Sequence, residues 1–181
     1  RLEHLVNDLR MLALSDAGEL ELKQRSQAPE VLINFAFDHY RFQAKAKGII
    51  LTTKFEPDLP AVLMDMDRMT QVISNIMENA LRNTPSGGEI LLSAMSSGMG
   101  EVEVSVSDYG FGIEKEDLQR IFDRLYRSDQ TRQRDKGGTG LGLALAKMIV
   151  EQHGGKIHAE SEPSQGTRMV ITLPVVLRNG E

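Results

Sequence analysis

MDRMTQVISNIMENALRN, residues 66–83, reads as one strongly amphipathic helix. Met69, Val72, Ile73, Ile76, Met77 and Ala80 recur at helical spacing and make an apolar face, and Asp65 or Asp67 stands where an N-cap belongs. Opposite that face, Gln71, Asn75, Asn79 and Arg82 follow at steps of four, four and three, a polar stripe along one side. Thr84-Pro85-Ser86-Gly87-Gly88 ends the helix in a turn, and strands are expected at 89–95 and 101–108, joined through Gly98 to Gly100. Upstream, a helix from about Pro29 to Lys47 leads through Gly48 into a strand at Ile49–Phe55, and Leu20 and Leu22 alternate with charges over 19–25 as an edge strand would. Downstream, a short helix over 114–124, a polar Arg- and Gly-rich stretch over 123–140, a helix over 141–153 and strands near 156–161 and 167–174 complete the chain. Elements mixed in this order predict an α/β fold, a two-layer sandwich with one mixed sheet and its helices on a single face.

The 181 residues are 40% hydrophobic and 26% charged, enough apolar side chain for a core and too much for disorder. The absence of cysteine excludes disulfides, thiol catalysis and Cys-based zinc sites, and the four histidines are too scattered for a metal cluster. A formal charge of −5 disfavours nucleic acid and anionic lipid as partners, and no apolar run approaches a membrane span. At the N-terminus Leu2, Leu5, Leu9 and Leu12, with Val6 and Ala13 beside them, form a heptad-like seam over residues 1–14, closed by Gly18. Such a helix is marginal alone and must pack on a partner helix, a second copy or the body of its own chain. Arg1 begins inside it, so the chain reads as a fragment.

Three features carry chemistry. The stripe on 66–83 is either a solvated face or a site where amide oxygens meet a hard cation and Arg82 meets a phosphate, since Asn is a poor choice for a helix interior. Asp108 shares parity with Val102, Val104 and Val106, which aims a carboxylate at the apolar side of its strand. It needs a donor there, such as the exocyclic amine of a base, unless it bonds its own backbone in the turn Asp108-Tyr109-Gly110-Phe111-Gly112-Ile113. Thr167 shares parity with Met169, Ile171 and Leu173, so its hydroxyl points the same way. Gly137-Gly138-Thr139-Gly140-Leu141-Gly142-Leu143 opens a helix with exposed amides at its positive end, a phosphate-binding arrangement. It is neither a Walker loop, for no G-x-x-x-x-G-K-[ST] occurs, nor a dinucleotide fingerprint, for Leu143 occupies the third glycine position. Arg124, Arg127, Arg132, Arg134 and Lys136 before it form either a lid over a polyphosphate or a solvated loop.

Asn75 to Arg82, Asp108 to Gly112 and Gly138 to Gly142, in this order and spacing, resemble the N, G1 and G2 boxes of sensor histidine kinases. Ile121-Phe122-Asp123-Arg124-Leu125-Tyr126-Arg127 looks like the F box and Gly166-Thr167 the last glycine motif, so the resemblance covers nearly the whole chain. It implies the gyrase/histidine-kinase-type ATP-binding fold over 18–181, with 1–17 the second helix of the dimerisation and phosphoacceptor hairpin. It further implies ATP and Mg²⁺ as ligands: Asn79 on the metal, Asn75 and Arg82 near the phosphates, Asp108 on the adenine amine, Gly110, Gly112 and Ile113 shaping that pocket, and Arg127 with the amides of Gly138 to Gly142 on the phosphate tail. Asn83, Tyr126, Lys136, Thr139, Leu141 and Thr167 join the ATP site by the same resemblance, and Asn75 and Arg127 are its catalytic positions.

The implied reaction passes the γ-phosphoryl of ATP to a histidine and then to the aspartate of a response-regulator receiver domain, in a cytoplasmic protein that forms a homodimer through its N-terminal helix and meets a membrane only through upstream segments. None of His4, His39, His153 and His158 sits in the family's H-[ED]-x-x-x-P context, so the acceptor is expected upstream of Arg1 and the chain alone is expected not to phosphorylate itself. Asn83 and Leu125 depart from the family's usual aromatic or His and its usual Phe; they support the alternative of a scaffold that binds ATP without transferring it. A gyrase-like ATPase or an anti-sigma serine kinase would share the nucleotide fold, but gyrase-type enzymes place Glu where this chain has Asn75, and neither explains the Leu seam.

Overall fold

In the computed structural model, which describes residues 2–98, 100–127 and 139–176, the helix α3 spans Met66–Asn83 and organises everything around it. Asp65 caps it, its carboxylate accepting the Arg68 amide at 3.2 Å. The other elements are α1 (Leu2–Asp16), β1 (Arg25–Gln27), α2 (Glu30–Ala46), β2 (Ile50–Phe55), β3 (Val62–Met64), β4 (Glu89–Gly98), β5 (Glu101–Asp108), α4 (Lys115–Leu118), α5 (Gly142–Gln152), β6 (Lys156–Glu162) and β7 (Gly166–Pro174). Five strands form one mixed sheet in the order β2-β4-β5-β7-β6, with β2 parallel to β4 and the remaining pairs antiparallel.

Alternation along the strands separates the two faces of the sheet. Ile90, Leu92, Val102, Val104, Val106, Ile171 and Leu173 point to one side and bury themselves under Leu32 and Ile33 of α2, Met69, Ile73, Ile76 and Met77 of α3, and Leu145 and Ile149 of α5. The other side is mixed: buried Val170 lies opposite Ser105, the Ser93 and Ser105 hydroxyls meet at 2.7 Å, and Arg168 bridges Glu103 and Glu160. The result is the expected two-layer α/β sandwich. Buried His153, at the end of α5, ties that helix to the start of α3: its Nε2 accepts the Asp65 amide at 3.0 Å, which leaves its proton on Nδ1 for the Ile149 carbonyl at 2.7 Å.

Two expected elements are corrected. The edge strand predicted over 19–25 begins only at Arg25, as β1, and pairs with β3, a three-residue strand not read from the sequence. The Lys23 amide is drawn instead to the Asp65 carboxylate at 2.8 Å, which takes that stretch out of any ladder. The helix predicted over 114–124 is helical only across α4. Successive turn hydrogen bonds follow it, and Leu125 adopts a left-handed φ of 61°. From these turns Ile121 and Phe122 both pack against the core.

The seam of α1 is divided. Met11 and Leu12 are buried on the body of the chain and Leu5 is half-buried, whereas Val6 and Leu9 are exposed. Met11, which does not belong to the heptad pattern, rotates the buried face away from Leu9; its sulfur lies 3.0 Å from Arg68 Nη1. Gln71 donates to Asp8 at 3.4 Å, Gln152 to Ser15 at 3.3 Å, and Arg124 holds Asp16 through two hydrogen bonds of 2.7 and 2.6 Å. Truncation separates the two halves of the seam. Leu12→Ala is expected to lower unfolding stability in urea by about 2–4 kcal/mol, and Leu9→Ala by no more than about 0.5 kcal/mol at dilute concentration. Equal losses at both positions would show that α1 does not rest on the body.

Candidate functional site

Because the apolar face of α3 is committed to the sheet, its polar stripe is turned toward a cavity of about 730 Å³. Gln71, Asn75, Asn79, Arg82 and Asn83 line one wall, Asp108, Gly112, Ile113, Thr167 and Met169 the base, and Tyr126, Arg127, Thr139, Gly140 and Gly142 the far side. Asn75 reaches across to the start of α5, its Nδ2 donating to the Gly142 carbonyl at 2.9 Å. Asn83 turns its amide back along the helix to the Asn79 carbonyl, also at 2.9 Å.

At the closed end, one row crosses the sheet: Ile90 opposite Asp108, Asp108 opposite Thr167, and Thr167 opposite Ser161. Asp108 is buried, and burial pushes its carboxyl up to about 6 against the lowering pull of the Gly110 and Thr167 amides. The Gly110 amide donates to its Oδ1 at 3.0 Å, the Asx turn, while Asp108 also lines the cavity. Gly110 itself stands behind the cavity rather than on its wall. Its lack of a side chain is needed there, since a Cβ would lie 2.2 Å from the Asn83 carbonyl oxygen that ends α3.

On the far side the Leu125 amide donates to the Gly140 carbonyl at 2.9 Å, which brings the chain at 125 against the chain at 140. Tyr126 is held from two directions, its hydroxyl donating to Asp117 at 2.5 Å and its ring lying 4.3 Å beneath the Arg120 guanidinium. The Leu141 side chain is in the core, so only its backbone faces this side, and its amide donates to the Thr139 hydroxyl at 3.3 Å. Lys136 and Gly138 lie outside the described residues, as do Arg132 and Arg134.

The sequence reading missed Ser161, Asp117 and the wall formed by Phe111. Ser161 shares the alternation of Ile157 and Ala159 on β6, a signal that was available; the Asp117 contact depends on the turns after α4 and was not. Among the described residues no group of three or more His, Cys, Asp or Glu could hold a metal ion by itself. A hard cation here would rely on the Asn79 amide oxygen together with oxygens that a ligand brings.

Residues 64–177 match the family model described as Histidine kinase-, DNA gyrase B-, and HSP90-like ATPase. The sensor protein SrrB of Staphylococcus aureus is 40% identical over 174 residues, which is 96% of this chain and 30% of SrrB, so the chain spans less than a third of that relative. Among solved structures, full-length ShkA in complex with AMPPNP is 28% identical with a TM-score of 0.84, over 99% of this chain and 37% of ShkA. The nucleotide-free catalytic domain of the histidine kinase ThkA is 25% identical with a TM-score of 0.74, over 85% of this chain and 97% of that domain.

Proposed function

The chain belongs to the histidine kinase-, DNA gyrase B- and HSP90-like ATPase family and is the ATP-binding catalytic domain of a sensor histidine kinase; on that premise we propose how its cavity takes the nucleotide and where the phosphoryl goes. The observation that carries the reading is that a single cavity joins the Asn75–Asn79–Arg82 wall to the Asp108–Thr167 base. A carboxylate at the closed end suits an exocyclic amine, and amides with guanidinium groups at the open end suit a triphosphate. Adenine enters against Asp108 with Ile113 and Phe111 beside it, and Asn75, Arg82, Arg127 and the backbone of 139–142 receive the phosphates.

Asn79 would hold Mg²⁺ jointly with the triphosphate, and the ion when bound would supply neutralisation of phosphate charge. The protein's part is positioning: α3 and the start of α5 are locked together through Asn75, so the phosphates meet a surface already in place. The γ-phosphoryl then passes to a histidine outside this chain and from there to the aspartate of a receiver domain. In the same reading residues 1–17 are the second helix of the dimerisation hairpin, and the domain works in the cytosol, where ATP is. No helix among the described residues is long and apolar enough to cross a membrane.

Calorimetry of Mg-ATP binding tests this assignment. The parent chain is expected to bind, and Asn79→Ala to lose the benefit of magnesium, its affinity with the ion falling roughly tenfold to the level seen without it. A parent chain that takes up no adenine nucleotide at millimolar concentration would sink the assignment. Joining the chain to an acceptor hairpin and following label from γ-labelled ATP then separates a kinase, which yields phosphohistidine, from a scaffold, which binds without transfer.

A further inference from the structure

Ser161 makes three hydrogen bonds with one proton. Its Oγ lies 2.6 Å from the Gly166 carbonyl, 2.9 Å from the Ile113 amide and 3.0 Å from the Thr167 hydroxyl. A carbonyl can only accept and an amide N–H can only donate, so the single Ser161 proton goes to Gly166 and the lone pairs face the other two. The Thr167 hydroxyl must therefore donate to Ser161. Its proton points along the sheet toward β6, and what Thr167 offers the cavity is lone pairs alone.

We infer that Ser161 sets the base selectivity of the cavity: by holding the Thr167 proton away, it makes Asp108 and Thr167 a pair of adjacent acceptors that admit a purine with an amine at position 6 and reject one with a carbonyl there. The two side chains sit directly opposite each other on β5 and β7, on the same face, and both line the cavity. Adenine carries an NH₂ at that edge with two protons to give; guanine and hypoxanthine carry an oxygen, which would meet two acceptors and no donor. A freely turning Thr167 hydroxyl would instead swing round and donate to that oxygen. Ser161 need not touch the nucleotide; it acts through Thr167 and is a positioning residue. The inference rests on the adenine-pocket reading above.

The experiment compares ATP with ITP, whose base has the 6-carbonyl but no 2-amino group, by calorimetry at pH 8, where Asp108 is ionised. The parent is expected to favour ATP, and Ser161→Ala to bind ITP more tightly in absolute terms, narrowing the ratio about tenfold. Ser161→Thr keeps the hydroxyl and is expected to keep the parent ratio. In a Thr167→Val background, Ser161→Ala is expected to leave ITP affinity where it was. A Ser161→Ala chain that loses both nucleotides equally, or keeps the parent ratio, overturns the role of Ser161 while leaving the pocket in place. A parent that binds neither nucleotide overturns the pocket reading and this one with it. Should Ser161→Ala not fold at the assay temperature, Thr167→Val carries the test alone: weaker ATP with ITP bound at least as tightly as by the parent supports the acceptor pair, and equal loss of both rejects it.

Discussion

Asp108→Asn is expected to make the nucleotide-free chain more stable and, in the same substitution, to remove at least about 99% of its affinity for ATP. Burial raises the Asp108 carboxyl from 3.8 to about 6. The folded chain therefore holds a proton that the unfolded chain has already released, and stability falls as pH rises between about 4 and 6. Above that window the ionised, buried carboxylate stands as a penalty of up to roughly 3 kcal/mol, since each factor of ten in proton affinity is worth about 1.4 kcal/mol. Asn carries no charge and is free of it. Relief of about 1–3 kcal/mol should raise the melting temperature by roughly 3–8 °C in a chain of this size. The amide oxygen of Asn would be taken by the Gly110 N–H that Oδ1 accepts now, which turns the NH₂ toward the cavity and sets a donor against the adenine amine. Scanning calorimetry without nucleotide and titration with Mg-ATP read the two effects separately. The parent should also lose ATP affinity as pH is lowered through about 6, and the variant should show no such step. A variant that melts lower and still binds ATP would mean that Asp108 is a structural carboxylate.

Gly166→Ala tests the other side of the same row. Gly166 has a φ of +90°, and a Cβ there would lie 1.9 Å from the Asp108 carbonyl oxygen and 2.8 Å from the Tyr109 Cα. Both are backbone atoms, at the end of β5 and one residue beyond it, so nothing nearby can rotate aside. β5 and β7 would have to part where Asp108 faces Thr167, and we expect a loss of about 3 kcal/mol or more together with loss of ATP binding in the chain that remains folded. Gly87→Ala is the control, for Gly87 has nearly the same φ, +87°, with no atom within 4 Å of the added methyl. It should cost only the left-handed backbone term, about 1–2 kcal/mol, and leave binding intact. Similar urea midpoints for the two variants would show that conformation, rather than the close approach to Asp108, is what the glycine supplies.

Much of this molecule is legible without coordinates, for reasons that differ by element. The span of α3 and its cap are readable because the apolar period, the polar stripe and Asp65 all agree. The long strands are readable because the face toward the helices is largely apolar while the other carries mainly polar side chains. Where the reading went astray, a tertiary contact had overruled a local pattern. Leu20 and Leu22 alternate like a strand, but the Lys23 amide is claimed by Asp65. Residues 119–124 look helical in composition, but the chain turns there so that the Leu125 amide meets the Gly140 carbonyl. The Leu seam of α1 is a true periodicity, yet Met11 turns half of it onto the body.

The sequence by itself determined the fold class, the inward aim of Asp108 and the polar side of α3, because each follows from periodicity along a single element. Only the tertiary structure decided which groups meet: that Asn75 locks onto Gly142, that Leu141 faces the core, and that the Ser161 hydroxyl meets that of Thr167. Those pairings join residues far apart in the chain through strand register and helix packing. A one-dimensional pattern specifies the direction a side chain faces, and the partner waiting there is set by how the layers come together.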